Sequence, residues 1–272
     1  MLSSLSFSKS LVRGAALAEN AGPMTDGPYG SLRTAFEVLE LLAERAPRGV
    51  TEIAAGTGMQ KSGPSRLLKA LSRWGYVVQT LQRGQYQLGP RALALADRYL
   101  QGDALVAAAQ PVMQRLAQEA RASVHLGLVA GDRMLVAAKE ASPETIQVAS
   151  RVGGPIVPHA SALGKVLLAG LPDKDRAAFL KGPLTRFTEK TVVDPARVAR
   201  MLREVRRRGY ALEAGEEHLG VGCIGVPVVG RADRWIAALS VSGPLRGTPF
   251  RLDARHRRLA VAAASDIGRR LR

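Results

Sequence analysis

From residue 31 onward the apolar positions follow first a helical period and then a strand period. In "SLRTAFEVLELLAER", Leu32, Phe36, Leu39 and Leu42 fall on one face while Glu37, Glu40 and Glu44 lie mostly off it, which predicts a helix opened by Ser31. After a turn at Arg48-Gly49, "TEIAAGTG" predicts a short second helix capped by Thr51 and ended by Gly56 or Gly58. Leu67, Leu68 and Leu71 mark a third helix through about Arg73, with Trp74 expected on the same apolar side. Gly63-Pro64 reads as its opening turn. A proline there loses nothing, since first-turn N–H groups lack an intrahelical partner, and glycine tolerates the extended conformation imposed on the residue before it.

The period then changes to two. Tyr76 and Val78 lead into a strand, Arg83-Gly84 supply a turn, and Tyr86 and Leu88 alternate back. Helix, helix, turn, helix and a two-stranded wing is the order of a winged helix-turn-helix, whose third helix enters the DNA major groove. "RALALADRYLQGDALVAAAQPVMQRLAQEA" follows as one or two helices with Gly102 and Pro111 as breaks, and the domain junction is expected near Gln101–Asp103. Further on, "SVHLGLVAGDRMLVAAKE" predicts a hairpin around Gly131-Asp132, and "HASALGKVLLAGL" a helix capped by Ser161. "DPARVARMLREVRRRGYA" predicts a longer helix, and "GCIGVPVVGRADRWIAALSVSGP" two strands around Gly230–Asp233. Strands and helices without strict alternation argue for an α+β domain with a largely antiparallel sheet.

Charge sharpens this picture. The chain of 272 residues carries a formal net charge of +16, which favours an anionic partner. No acid occurs between Glu52 and Asp97, whereas Lys61, Arg66, Lys69, Arg73, Arg83 and Arg91 fall inside that interval, as a phosphate-facing surface requires. Arg66, Lys69 and Arg73 recur at i, i+3 and i+7 and share one helix face opposite the leucines. Ser62 and Ser65, near the start of that helix, are within reach of phosphates or base edges. Lys61, Ser62, Ser65, Arg66, Lys69, Arg73 and Arg83 are therefore the expected DNA contacts. The basic C-terminal run from Phe250 reads instead as an amphipathic helix with a solvated face. A single cysteine, Cys223, excludes an internal disulfide framework and fits a reducing cytoplasm. Residues 1–28 lack the unbroken apolar stretch of a secretory signal; they are expected to be disordered, with Met24 as an alternative start.

Residues 31–95 resemble the DNA-binding domain of the IclR family of transcriptional regulators. "RVGGPIVPHASALGKVLLAGLP", "RRRGYALEAGEEHLGVGCIGVPV" and "AALSVSGP" resemble the family's ligand-binding domain, in the family's order. The likeness implies a winged helix-turn-helix over 29–90 and a linker helix over 91–103. It also implies a GAF-like effector domain over 104–272 and assembly as homodimers or homotetramers. One departure is visible: where the family carries "KST" and an apolar residue, this chain has Lys61, Ser62, Gly63 and Pro64, so the bases read at that turn do not carry over.

The resemblance also implies a small-molecule effector, a carboxylate or aromatic metabolite. Its polar lining would be Glu213, Cys223, Ser240 and Ser242, with Val148, Ile156 and Val221 as apolar wall. The helix capped by Ser161 would add the N–H groups of Ala162 and Leu163, aimed at an anion. An enzyme reading has less behind it. Ser161, His159 and Lys165 invite a nucleophile, but the Ser-to-Lys spacing is wrong for Ser-x-x-Lys chemistry and a cap already explains Ser161. His125, His159, His218 and Cys223 lack metal-ligand spacing, and no dinucleotide or Walker fingerprint occurs, so neither metal nor cofactor is expected. The competing class is a sensor module whose winged helix serves protein contacts rather than DNA.

Overall fold

The computed structural model describes residues 30–60, 63–131, 133–141, 150–247 and 249–271. The expectations for residues 1–28, Met24, Lys61, Ser62 and Val148 lie outside the described residues. Those described fall into two compact units, 30–103 and 104–271.

The first unit runs α1 (Gly30–Glu44), β1 (Arg48–Gly49), α2 (Val50–Thr57), α3 (Gly63–Arg73), β2 (Val77–Gln79), β3 (Gln85–Leu88) and α4 (Arg91–Gly102). The strands form an antiparallel sheet in the order β1-β3-β2. Its core is small: Val38, Leu42, Ile53, Leu68 and Val77, with Leu41, Leu67, Leu71, Tyr86 and Leu88 packed around them. Several local expectations are corrected. Glycine 49, not Thr51, caps α2; having no side chain, it is served by Glu52, whose Oε2 accepts the Gly49 N–H at 2.8 Å. Gly58 ends α2 in the left-handed conformation, φ 67°. Val77 rather than Val78 faces the core, where it stands opposite Leu88 of β3. Trp74 lies beyond the end of α3 and is 74% exposed.

Helix α1 carries two apolar faces. Val38 and Leu42 fill the core, while Leu32 and Phe36, expected on the buried stripe, are exposed. Helix α4 has no buried residue at all, with Leu93, Leu95, Tyr99 and Leu100 among its exposed side chains.

The second unit contains α5 (Ala104–Ala120), β4 (Ser123–Ala130), β5 (Arg133–Glu140), α6 (Ala162–Gly170), α7 (Asp173–Leu180) and α8 (Pro195–Arg208). It continues with β6 (Ala211–Ala214), β7 (Val221–Val229), β8 (Trp235–Pro244) and α9 (Ala254–Arg270). Helix α7 and strands β1 and β6 had no counterpart in the sequence reading. Asp103 interrupts the helical run between α4 and α5, but Pro111 does not: it lies exposed inside α5, held in register by Val106, Met113, Leu116 and Ala120 in the core.

The five strands are all antiparallel, in the order β5-β4-β8-β7-β6. One sheet face presents Val124, Leu126, Ile224, Val226, Leu239 and Val241 to α5 and α9. The opposite face receives α6, with α8 packed on α6, over Val136, Ala211 and Ala238. Helix α8 is bounded by Asp194, whose carboxylate accepts the Arg197 N–H at 2.7 Å, and by Gly209 in the left-handed conformation.

Candidate DNA-reading surface and effector site

On α3 the segregation of faces is complete. Pro64 and Leu68 are buried, and Ser65, Arg66, Lys69 and Arg73 are exposed. The helix begins at Gly63, whose N–H bonds Gln60 O at 2.9 Å, so the dipeptide opens the helix and does not break it. Arg83 is exposed in the wing turn, which closes through the Thr80 N–H on Gln85 O at 2.8 Å. Ser65, Lys69 and Ser72 of α3 face Val77, Val78 and Gln79 of β2 and Tyr86 of β3 across a cleft of about 480 Å³. Ser72, Gln79 and Tyr86 line that cleft and are not among the expected contacts; Ser65, Lys69 and Ser72 share a side of α3 through their i, i+4, i+7 spacing.

In the second unit, strand register brings the expected polar residues to one face. Glu213 pairs with Cys223, Cys223 with Ser242, and Ser242 with Ser123, forming one row across four strands. A second row on the same face runs Ala211, Gly225, Ser240, His125 and Lys139. Val221 lies two residues from Cys223 and shares its side of β7. Ser123, His125, Glu213, Ser240 and Ser242 are all buried. Helix α6 approaches this face closely because Gly225 lacks a side chain: a Cβ there would lie 2.5 Å from Ala162 O. Ile156 and Leu163 pack over Gly127 in the same way.

His125 links the rows. Its Nδ1 lies 3.3 Å from Ser242 Oγ and its Nε2 lies 2.7 Å from Ser150 Oγ. Burial, with the nearby Lys139 cation second, pushes its pKa down to about 4, so the imidazole is neutral at physiological pH. Lys139 in turn donates to Ser150 O at 2.8 Å. Ser123 Oγ, fully buried beside Ser242, has no hydrogen-bond partner among the described residues. Neither Ser123, Ser150 nor Lys139 was among the expected contacts, although Ser123 and His125 alternate in "SVHLGL" as polar residues on a half-buried face do.

Glu213 has a structural task. Its Oε1 accepts the N–H groups of Glu216 at 2.5 Å and Glu217 at 3.4 Å and so ties the loop after β6 to the strand. Burial raises its pKa, and burial also raises that of Glu217. Cys223 is only partly buried as a residue, yet its thiol is enclosed, and that burial together with the Glu213 carboxylate holds its pKa well above the ordinary value.

The residues that suggested a nucleophile are engaged apart from one another. Ser161 Oγ donates to Val157 O at 2.7 Å and accepts the Gly164 N–H at 3.0 Å, as an N-cap does. Lys165, 1% exposed, donates to Leu212 O at 3.0 Å and pairs with Glu216. His159 Nε2 binds Thr185 O at 2.9 Å, and burial lowers its pKa. Among the described residues no three His, Cys, Asp or Glu side chains gather as metal ligands, and no helix is long and apolar enough to cross a membrane.

A winged helix-turn-helix with an exposed cationic third helix, followed by an antiparallel sheet domain with a buried polar face, is the architecture of a DNA-binding transcriptional regulator. Residues 31–81 match the IclR helix-turn-helix domain and residues 97–269 match the bacterial transcriptional regulator IclR C-terminal domain. The chain is 33% identical to the HTH-type transcriptional regulator BhcR of Paracoccus denitrificans, over 87% of this chain and 86% of that protein. It is 28% identical to the transcriptional repressor IclR of Escherichia coli, over 86% of each. It superposes on an IclR homologue of Microbacterium hydrocarbonoxydans complexed with 4-hydroxybenzoate with a TM-score of 0.76 at 27% identity, covering 89% of this chain and 98% of that one. The chain belongs to the IclR family: it is an HTH-type, DNA-binding transcriptional regulator and not an enzyme.

Proposed function

We propose that this protein is a ligand-responsive regulator, acting as a repressor in the cytoplasm, that binds a pseudopalindromic operator through α3 and the wing. The exposed face of Arg66, Lys69 and Arg73 beside the cleft of Ser65, Ser72 and Gln79 carries this reading. Arg66 and its neighbours reach bases and phosphates in the major groove, while Arg83 neutralises a flanking phosphate. Self-association into a dimer or tetramer is supported by α4, an amphipathic helix with no buried face of its own, and by exposed Leu32 and Phe36 on α1. Residues 29–90 are the DNA-binding domain, 91–103 the linker helix and 104–272 the effector domain.

The effector is a small organic acid, held against Ile156, Val221, Cys223, Ser240 and Ser242 and the first turn of α6 at Ala162 and Leu163, with Glu213 bracing the wall. The 4-hydroxybenzoate on a solved relative supports an aromatic or other carboxylic acid as the class. Ligand binding shifts the equilibrium between arrangements of the DNA-binding domains by its differential affinity for them. Operator affinity of Arg66→Ala in a gel shift tests the reader: a loss of about tenfold or more is expected, from about 1–3 kcal/mol per specific contact. Unchanged affinity would leave the winged helix to protein contacts. The double variant Ser240→Ala with Ser242→Ala is expected to bind operator normally and to lose its response to effector.

A further inference from the structure

Most of the net charge of +16 lies outside the unit that carries the reader helix. Residues 29–103 hold 10 Lys and Arg against 6 Asp and Glu, whereas residues 104–272 hold 27 against 15 and so carry +12 of the total. Helix α8 concentrates that excess. Val198, Leu202 and Val205 bury one side of it, and the side turned to water carries Arg200, Arg203 and Arg207, with Arg197 at its edge. Glu204, the one acid within the helix, is taken by Arg207 at 2.6 Å. The side chains of Arg197, Arg200 and Arg203 have no hydrogen-bond or ion-pair partner among the described residues.

This stripe works against the helix that carries it. Arg197 and Arg200, Arg200 and Arg203, and Arg203 and Arg207 are like-charged neighbours three or four residues apart. Arg197 also stands in the first turn, where the helix dipole opposes a cation. A solvated helix face that alternates its charges avoids both effects. The cationic surface continues past the helix end. The Arg208 guanidinium lies 4.4 Å from the centre of the Tyr210 ring, and that of Arg257 on α9 lies 4.9 Å from it and donates to the Tyr210 hydroxyl at 3.2 Å. Tyr210 leads into the edge strand β6, so two guanidinium groups are held on one ring at that edge of the sheet. Helix α7, packed against α8, exposes Lys174, and its exposed acid Asp173 pairs with Arg176.

A polyanion relieves this repulsion, and the face favours one kind. The only apolar residues exposed on α8 are Pro195 and Ala196, so it lacks both the large anchor of a protein interface and the apolar side that inserts into a bilayer. From Arg200 to Arg207 the helix rises about 10 Å, the length over which one strand of a duplex presents about three phosphates. Three guanidinium forks, each able to hold a phosphate by two hydrogen bonds, stand over that length. We infer that the outer face of α8 is a second nucleic-acid surface, which grips the phosphate backbone of duplex DNA without reading its sequence. It raises affinity for any duplex and leaves the ratio of operator to non-operator affinity unchanged.

Binding of the full-length protein to a long duplex of random sequence, followed by fluorescence anisotropy across a salt series, tests this. The triple variant Arg200→Gln, Arg203→Gln, Arg207→Gln keeps good helix formers at exposed positions. It is expected to lower the slope of log affinity against log salt by about 2–3 units, at about 0.9 per phosphate. The charge-matched control Arg255→Gln, Arg269→Gln, Arg270→Gln, on α9 across the sheet, is expected to change it by less than about one unit. An unchanged slope in the α8 variant assigns the stripe to an acidic protein or to water and overturns the inference. An equal fall in the control also overturns it, by making the effect one of overall charge. Arg66→Ala separates this surface from the reader: it is expected to weaken the preference for operator and to keep the α8-dependent slope on random duplex. A protein that grips random duplex through α8 and prefers no operator keeps this surface and loses the proposed operator function. One that binds operator with a slope indifferent to α8 keeps that function and loses this surface.

Discussion

The reader helix and the sensor sheet solve opposite problems with the same kinds of side chain. On α3 the polar groups stand in water, held only by the helix that carries them, and the leucines behind them form the core. On the sheet the polar groups are buried, and their hydrogen bonds are arranged before any ligand arrives. DNA is a polyanion whose bound counterions are released on binding, so a solvated cationic face suffices and specificity comes from a few base contacts. A small ligand of the kind proposed for the sheet has too few atoms to order a mobile site, so its donors would have to be held ready. Overall charge does not separate the two tasks: α8, in the sensor unit, exposes Arg197, Arg200, Arg203 and Arg207 with Glu204 as its one acid.

The sharpest way to break the comparison is to ask whether the two units stand on separate cores. Leu68→Ala removes a fully buried side chain from the small core of the first unit and is expected to cost about 3 kcal/mol. The two tryptophans, Trp74 and Trp235, report one unit each. Urea unfolding of single-tryptophan variants should show the Trp74 transition shifted and the Trp235 transition in place; equal shifts in both would merge the cores.

A second test concerns burial. Because His125 is held at about 4 against an ordinary value near 6.5, the unfolded chain binds its proton first as pH falls. Stability from this group is full above about pH 6.5 and declines toward pH 4, reaching a loss of about 2 kcal/mol at pH 5. His125→Phe should flatten that part of the profile measured at Trp235. Asp194→Ala, which deletes the α8 cap, should lower the same transition by about 1 kcal/mol at neutral pH. Smallest is the wing: Arg83→Ala should reduce the slope of log affinity against log salt by about one unit on any duplex, and leave both unfolding transitions unchanged.

These contrasts also explain what could be read from the chain. Charge periodicity survives in sequence because an exposed helix face has no competing demand on it, so Arg66, Lys69 and Arg73 were legible. The sheet domain was legible in outline, since alternation in "SVHLGLVA" and "WIAALSVSGP" is local. The partners of His125 were not, because Ser150 and Ser242 lie far from it along the chain and register alone brings them together. The misassigned stripe of α1 has a different cause. Leu32 and Phe36 are as apolar as Val38 and Leu42, and periodicity does not say which of two apolar faces meets the protein's own core. Side-chain caps are common and point to Thr51, whereas Glu52 reaching back to Gly49 achieves the same end from inside the helix. Pro111 yielded to the buried residues around it, as local preference does when tertiary packing is extensive.

The absent side chain at Gly225 works as a shim of zero thickness. The sheet and the first turn of α6 are separated there by no more than backbone, so the spacing between helix and sheet beside Ser240 is set at a single position. One methyl group at Gly225 would meet Ala162 O and lift the helix or tilt it, with no polar residue of the sheet face altered. A test of the proposed effector site should therefore begin under the helix as well as along the wall.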